Sequence, residues 1–214
     1  MSNFLTEHLI HRDDDFMVIH KPAGLLTVPG KTEDLQDCLI NRLVELEPKT
    51  LLIHRLDRDT SGILVFALSR EGQKMISRQF QERQTDKTYQ AIVAGTLEGE
   101  GTVDVPVIYD PSRPPLHVAE PNHNKPALTH WQAVEHFEIQ GQPVTRVKLT
   151  PITGRSHQLR VHMQYLGHPI IGDTLYATVQ QQQLMPRLCL HAEQLSFIHP
   201  KNAEKVEFYC PAPF

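Results

Sequence analysis

Long hydrophobic runs, a cysteine framework and a strong net charge are all missing from this sequence of 214 residues. No apolar stretch approaches the roughly 20 residues that a membrane-spanning helix needs. The N-terminus also lacks the basic and apolar regions of a secretory signal. Three cysteines at unrelated spacings form neither a disulfide framework nor a Cys-X-X-Cys zinc motif. We therefore expect a soluble, cytoplasmic protein.

The net charge of -4 argues against a protein that coats nucleic acid with its whole surface. Acidic residues are nevertheless absent from one long stretch, Ile139 through Gly172, which contains four basic residues: Arg146, Lys148, Arg155 and Arg160. One face can therefore be basic while the total is acidic. A chance gap in the acidic residues would give the same pattern.

A chain of this length with 40% hydrophobic residues can bury a sizeable core, and we expect one catalytic domain over residues 1–214. Hydrophobic periodicity predicts strands at 16–20, 63–68, 87–94, 127–137, 144–150, 187–192 and 206–209. It predicts helices from Thr32 to Leu46, from Ser69 to about Arg83, and from Ser156 to Leu166. Residues 176–184 are expected to be a polar surface connection. Six prolines exclude regular helix from residues 105–126, which are typical of a functional excursion.

A polar turn, His54–Gly62 with the sequence HRLDRDTSG, leads into the apolar segment Ile63–Leu68. Asp57 lies between two arginines, and opposite charges on both sides favour the ionised carboxylate. Such a carboxylate suits a nucleophile. An ion pair that only stabilises the turn would show the same residue types.

This turn and five further motifs resemble the RluA-type pseudouridine synthases. The motifs follow the family's order across nearly the whole chain: HKPAGL at 20–25, KTYQA at 87–91, GRSHQLRVH at 154–162, GHPIIGD at 167–173 and LHA at 190–192. The resemblance implies an α+β fold with an extended, mixed but mostly antiparallel central sheet. Helices and loops would flank the sheet, and an active-site cleft would cross it. We expect the compact form without an S4 domain, in which the Pro-rich segment 105–126 contacts RNA.

The implied activity is isomerisation of uridine to pseudouridine in stem-loops of 23S rRNA and of the tRNA anticodon arm. The target base would be flipped out of the RNA before it reacts. The sequence has no Gly-rich phosphate loop and no metal-ligand spacing, so we expect neither a cofactor nor a metal. RNA is the expected partner, membranes are not, and the expected state is a monomer.

Three residues carry the implied chemistry. Asp57 is the nucleophile or the carboxylate that initiates glycosidic cleavage, and Arg155 is the arginine that pairs with it. Tyr89 packs on the uracil and is a candidate for removing the C5 proton. Six further residues are expected to bind substrate: His54, Arg55, Arg113, Lys125, Arg160 and Leu190. Arg55 would fill the space left by the flipped base, Leu190 would lie against that base, and Arg113 and Lys125 would contact phosphates.

Other functions share parts of this pattern. A synthase that acts only on rRNA or only on tRNA would carry the same motifs. A catalytically silent RNA-binding protein of the same fold would not need Asp57, Tyr89 and Arg155 together. A glycoside or nucleoside hydrolase could use Asp57, but it would normally need a second carboxylate about 5 to 10 Å away. Asp59 is too near in sequence to be a confident partner.

Overall fold

The computed structural model describes residues 3–214, which contain five helices and twelve strands. The helices are α1 (Asn3–His8), α2 (Leu39–Leu46), α3 (Arg70–Gln81), α4 (Gln158–Tyr165) and α5 (Val179–Gln183). The strands are β1 (Leu9–Arg12), β2 (Phe16–Lys21), β3 (Leu51–Leu52), β4 (Ser61–Ala67), β5 (Asp86–Ala94), β6 (Glu100–Asp104), β7 (Val107–Tyr109), β8 (His117–Ala119), β9 (Leu128–Ile139), β10 (Gln142–Pro151), β11 (Leu190–Ile198) and β12 (Lys205–Tyr209). Among the described residues, no helix is long and apolar enough to span a membrane.

The described chain forms two compact units. The first comprises residues 3–87 and Ala192–Pro213, and the second comprises Thr88–His191 together with Phe214. The chain leaves the first unit within β5 and re-enters it within β11. Helices accompany antiparallel sheets in both units, so the predicted α+β class is confirmed. That the whole chain acts as one catalytic domain stays a prediction.

In the first unit the strand order is β1-β2-β4-β11, with β3 pairing with β4 and β12 pairing with β11. Every residue of β4 is buried, as the continuous apolar run Ile63–Leu68 predicts for a strand covered on both faces. Helix α3 packs on β4. The core around them contains the aromatic rings of Phe16 and Phe197. The turn that carries Asp57 is therefore attached directly to the most deeply buried strand of this unit.

In the second unit the strands β5, β10, β9 and β6 follow one another, all antiparallel. The apolar face of α4 contributes Leu159 and Met163 to the main core of this unit. The Pro-rich segment 105–126 contains no helix and forms a small hairpin of β7 and β8. The excursion predicted from its prolines is thus an ordered hairpin with its own strand pairing.

The helix predicted from Thr32 to Leu46 begins instead at Leu39. Residues Glu33–Leu35 form a single 3-10 turn, and the Thr32 side chain makes no capping hydrogen bond. The chain is extended at Cys38, and the amide of Leu39 donates to the carbonyl oxygen of Leu26. Backbone pairing with an earlier segment therefore competes with the helical hydrogen bonds. Local sequence signals do not contain this tertiary interaction.

Two smaller predictions are also corrected. The strand predicted at 187–192 begins at Leu190 and runs on to Ile198. The polar connection at 176–184 contains the short helix α5, which begins after a capping box at Thr178. Ser69 does cap α3 as predicted, because its side chain accepts the amide of Gly72.

Gly62 has a backbone conformation that only glycine adopts easily, with φ of +118°. A Cβ atom at this position would overlap the backbone of Ala192 in the neighbouring strand. The glycine therefore allows β4 and β11 to approach closely just after the Asp57 turn.

Gly62→Ala should lower the free energy of unfolding by about 3 kcal/mol or more, because it combines backbone strain with a backbone overlap. Urea denaturation measures this loss. Gly99→Ala is the matched control, because Gly99 also has a positive φ of +79° but open space around it. Equal losses for the two variants would contradict the close approach at Gly62.

Candidate active site

The backbone around Asp57 is held by a buried lysine ammonium. Lys21 is 0% exposed, and its Nζ donates to the carbonyl oxygens of Pro22, Leu25 and Arg58 at 2.8, 2.7 and 2.8 Å. A buried charge is costly unless it is fully hydrogen-bonded, and three acceptors match the three donors of an ammonium. Lys21 thus ties the HKPAGL motif to the residue that follows Asp57.

Thr27 fixes the residue on the other side of Asp57. The buried hydroxyl of Thr27 donates to the carbonyl oxygen of Leu56 at 2.7 Å and accepts its amide at 3.2 Å. The carbonyl oxygen of Asp57 itself accepts the amide of Thr60 at 3.2 Å. Both neighbours of Asp57 and its own peptide are therefore fixed, while its side chain stays half-buried. The backbone is held in place before any substrate binds.

The two arginines beside Asp57 are exposed. Arg58 directs its guanidinium toward Asp59, with Nε 3.6 Å from Oδ1. Arg55 is also exposed, as a residue that enters a space vacated in RNA would need to be. Its predicted role in substrate binding remains a prediction.

His54 is integrated into the first unit. Its ring stacks on Phe80 with centroids 4.3 Å apart, and its Nε2 accepts the backbone amide of Val65 at 3.2 Å. Burial, with a smaller contribution from the charge of Lys87, lowers the pKa of His54 to about 3. The imidazole is therefore neutral at physiological pH, which its acceptor role requires. These contacts support a structural role, and the predicted substrate contact stays a prediction.

Tyr89 and Leu190 both belong to the second unit. Tyr89 lies on β5 opposite Leu149 of β10 and is half-buried against the apolar core of that unit. Leu190 is 3% exposed and belongs to the same core. Ala91 and Val93, on the same side of β5 as Tyr89, are fully buried, but Ile92 and Ala94 are buried as well, so this half of the strand does not alternate in burial.

Arg155 lies in the turn between β10 and α4. The backbone at His157 is left-handed, with φ of 56°, and α4 begins at the next residue. The amide of Arg155 donates to Oε1 of Gln158 at 3.0 Å, and its Nε donates to the carbonyl oxygen of Pro126 at 3.2 Å. The residue itself is exposed at the start of the helix, where free amides favour an anion.

Arg160 is buried and ion-paired, which disfavours the RNA contact predicted from the sequence. The residue is 2% exposed, and its guanidinium forms two hydrogen bonds with the buried carboxylate of Asp173, at 2.7 and 2.6 Å. It also lies over the ring of Tyr176, 5.1 Å from the centroid. Arg160 lies in a stretch without acidic residues, and this pattern suggested a phosphate ligand. Its acidic partner, Asp173, comes directly after that stretch, in the next motif.

Arg113 and Lys125 are exposed on the Pro-rich segment. The Nε atom of Arg113 donates to Asp110 at 2.8 Å, and its side chain is 63% exposed. Hydrogen bonds from Ser112 and then Arg113 lower the pKa of Asp110. Both basic residues are accessible to a phosphate, and their RNA contacts stay predictions.

A possible metal-ligand group occurs in the first unit, where Asp13, Asp15 and His199 place their ligand atoms within 4.8 Å of one another. His199 accepts the amide of Lys201 at Nδ1, so its proton lies on Nε2, which faces Asp13. A metal bound at Nε2 would need the proton on Nδ1 instead. The hydrogen bonds therefore favour a hydrogen-bonded cluster over a metal site.

Lys21→Met should reduce the free energy of unfolding by about 3 kcal/mol, because it leaves buried carbonyl oxygens without their donor. Urea denaturation measures the loss. Lys74→Met on the exposed surface of α3 is the control and should change it by less than about 0.5 kcal/mol. Similar curves for the two variants would contradict the role given to Lys21.

The low pKa of His54 predicts a stability change with pH. The unfolded chain binds a proton at this residue below its ordinary pKa of 6.5, whereas the folded chain does so only near 3. The contribution of His54 to the free energy of unfolding is therefore fully present above pH 6.5. It is lost as pH falls, by at most about 1.4 kcal/mol per pH unit. His54→Phe keeps the stack and should lack this component. Parallel plots of unfolding free energy from pH 7 to pH 4.5 for the two proteins would contradict the prediction.

Comparison with known proteins agrees with the motifs. The family model described as RNA pseudouridylate synthase matches residues 15–165. The chain is 47% identical over 207 residues to the dual-specificity RNA pseudouridine synthase RluA of Pasteurella multocida (strain Pm70), covering 96% of this chain and 93% of that protein. It is 44% identical over 208 residues to the protein of the same name from Escherichia coli (strain K12), with the same coverage.

Solved structures agree as well. Human RNA Pseudouridylate Synthase Domain Containing 1 superposes with a TM-score of 0.81 and 34% identity, covering 97% of this chain and 84% of that chain. Human RNA Pseudouridylate Synthase Domain Containing 4 superposes with a TM-score of 0.76 and 27% identity, covering 98% of this chain and 90% of that chain. The motifs, the fold and these similarities together show that the chain is an isomerase of the RNA pseudouridylate synthase family.

Proposed function

We propose that this protein converts specific uridines to pseudouridine in two classes of RNA, stem-loops of 23S rRNA and the anticodon arm of tRNA. One observation carries the proposal: the family match over residues 15–165 spans Asp57, Tyr89 and Arg155, each within a motif of the expected type. The dual specificity in the names of the relatives supports two substrate classes. We infer that it acts as a monomer, and that it acts in the cytoplasm because its proposed substrates are found there.

The proposed reaction exchanges one bond for another. The bond from C1′ to N1 breaks, the uracil turns, and a bond from C1′ to C5 forms. The proton on C5 leaves and N1 gains a proton, so the nucleotide keeps its composition. The reaction involves no oxidation and no group donor, which agrees with the expectation that no cofactor takes part.

Asp57 is the residue that we propose starts this reaction. A carboxylate that attacks or assists at C1′ must be held in place, because small displacements at a reacting centre cost rate. The hydrogen bonds from Lys21 and Thr27 to its neighbours provide that support. Tyr89 and Arg155 supply, by the same resemblance, the ring that packs on uracil and the cation that the carboxylate requires.

Substrate access requires that the uridine leave its stack. Flipping costs a few kcal/mol and is easiest for a loop nucleotide, which favours stem-loop substrates. Arg113, in the loop of the β7–β8 hairpin, and Lys125, after it, are exposed and are our candidates for phosphate contacts, while Arg55 is the candidate for the vacated space. Proteins recognise paired RNA mainly through the shape and the backbone of the RNA.

Asp57→Asn should lower the rate of pseudouridine formation by about 10³-fold or more, because it removes the charge while preserving shape. The measurement is a pseudouridine map of tRNA and 23S rRNA from cells with and without the gene, complemented with each variant. Asp59→Asn is the matched control, because Asp59 lies in the same turn beside exposed Arg58.

The map also separates the alternatives. Sites that disappear in both RNAs and return with wild type and Asp59→Asn, but not with Asp57→Asn, are the expected result. Loss of sites in only one RNA class would replace dual specificity with a single substrate. Full rescue by Asp57→Asn, or an unchanged map, would contradict the catalytic proposal and favour a silent RNA-binding protein.

A further inference from the structure

Beneath Arg155 lies a buried set of polar side chains that the proposed reaction does not use directly. Gln158, at the first turn of α4, is 3% exposed, and its side-chain amide makes four hydrogen bonds. Its Oε1 accepts the amide of Arg155 at 3.0 Å and the hydroxyl of Thr153 at 2.7 Å. Its Nε2 donates to the carbonyl oxygen of Leu128 at 3.0 Å and to the hydroxyl of Thr129 at 2.9 Å.

The chain of hydrogen bonds continues from Thr129 to His162. The hydroxyl of Thr129 accepts from Gln158 and lies 2.9 Å from Nδ1 of His162, while Nε2 of His162 lies 2.9 Å from the carbonyl oxygen of Val105. A carbonyl oxygen can only accept, so Nε2 carries the proton and Nδ1 must accept from Thr129. The donor and the acceptor of each hydrogen bond in this chain are therefore defined. Burial lowers the pKa of His162, which favours the neutral form that this arrangement requires.

The same hydrogen bonds lead to both ends of the Pro-rich segment. His162 binds the carbonyl oxygen of Val105 at its start, and the guanidinium of Arg155 binds that of Pro126 near its end. Arg155 is thus fixed at its peptide by Gln158, and its side chain binds the end of the segment whose start is bound by His162. Because every donor and acceptor of the Gln158 amide is used, rotation of that amide would break all four bonds.

We propose that Thr129, Gln158 and His162 form a hydrogen-bond relay that positions Arg155 for the synthase reaction. The inference rests on the proposed function, which gives Arg155 its catalytic role. The three residues are positioning residues, because they act through Arg155 and not on the substrate. Removal of one relay member should lower the rate at saturating RNA while leaving RNA affinity nearly unchanged.

Thr129→Val removes one hydroxyl with almost no change in shape, and it separates Gln158 from His162. Thr145→Val is its matched control in the same unit, because Thr145 is also fully buried. Its hydroxyl likewise accepts one N–H, from Leu97, and donates once, to the carbonyl oxygen of Gly95. Thr129→Ser keeps the hydroxyl and tests whether that group is responsible. The two valine variants should lose similar stability.

The experiment measures single-turnover pseudouridine formation with excess purified protein on an anticodon stem-loop transcript. Thr129→Val should be about tenfold slower than Thr145→Val, and Thr129→Ser should be within about twofold of wild type. In an Arg155→Lys background the same Thr129→Val change should alter the rate less than twofold, because residues that act as a unit are not additive. Hydrogen exchange at the Arg155 amide should become faster in Thr129→Val and remain unchanged in Thr145→Val.

The outcomes separate this inference from the proposed function. Slow reaction of Arg155→Lys together with equal rates for the two valine variants would overturn the relay and leave the proposed function intact. Full additivity of Thr129→Val and Arg155→Lys would also overturn the relay. Wild-type rates for Arg155→Lys and for Arg155→Ala would overturn the relay and the catalytic role of Arg155, while the pseudouridine formed would still support the synthase activity.

Discussion

The hydrogen bonds of one buried ammonium determine where the central carboxylate of this protein can lie. Lys21 is buried in the first unit and donates to three backbone carbonyl oxygens, one of which belongs to the residue after Asp57. Removing an ammonium from water is expensive, and a set of short bonds to fixed carbonyl oxygens offsets that cost only if the loop keeps its shape. The charge thus penalises every other conformation of the turn. Thr27 and the close approach at Gly62 add constraints on either side of it.

The second unit achieves a similar result with neutral groups. The Gln158 amide, the Thr129 hydroxyl and the His162 imidazole are buried, and each bonds either to backbone or to another member of the set. Fully satisfied buried networks of this kind rigidify a structure, because partial satisfaction is costly. Nearby, Arg160 and Asp173 form a buried ion pair that occupies a guanidinium otherwise suited to phosphate. In both units the buried polar side chains fix backbone positions, while the exposed arginines remain accessible.

The sequence predicts the strands and the chemical motifs better than it predicts the environment of individual polar residues. The buried strand β4, the position of strand β5 and the cap at Ser69 follow from local patterns, and the structure agrees. The predicted start of the helix at Thr32 is wrong because the backbone at Cys38 pairs with Leu26, and local patterns do not contain this tertiary interaction. The buried ion pair of Arg160 is not apparent from local patterns for a related reason, since its partner Asp173 lies thirteen positions away in another motif.

Two groups of functional importance had sequence signals that were not interpreted. Lys21 lies directly before Pro-Ala-Gly at the end of an apolar strand, where a charged residue is unexpected unless it binds backbone carbonyl oxygens. Gln158 and His162 lie in the first two turns of a helix, and they bond to backbone carbonyl oxygens 30 and 57 positions earlier in the chain. Side-chain type and spacing identify such residues as polar and helical. Only packing distinguishes a buried relay from a solvated surface.

The most direct test of the central claim uses purified protein and RNA that carries tritium at C5 of uridine. Isomerisation releases this tritium to water as the bond from C1′ to C5 forms, and the uridine stays in the polymer as pseudouridine. We predict tritium release equal to the pseudouridine formed, no free uracil, and loss of both signals in Asp57→Asn. Free uracil without pseudouridine would indicate a hydrolase. RNA binding without tritium release would indicate a protein that has the fold but not the reaction, and either result would contradict the account.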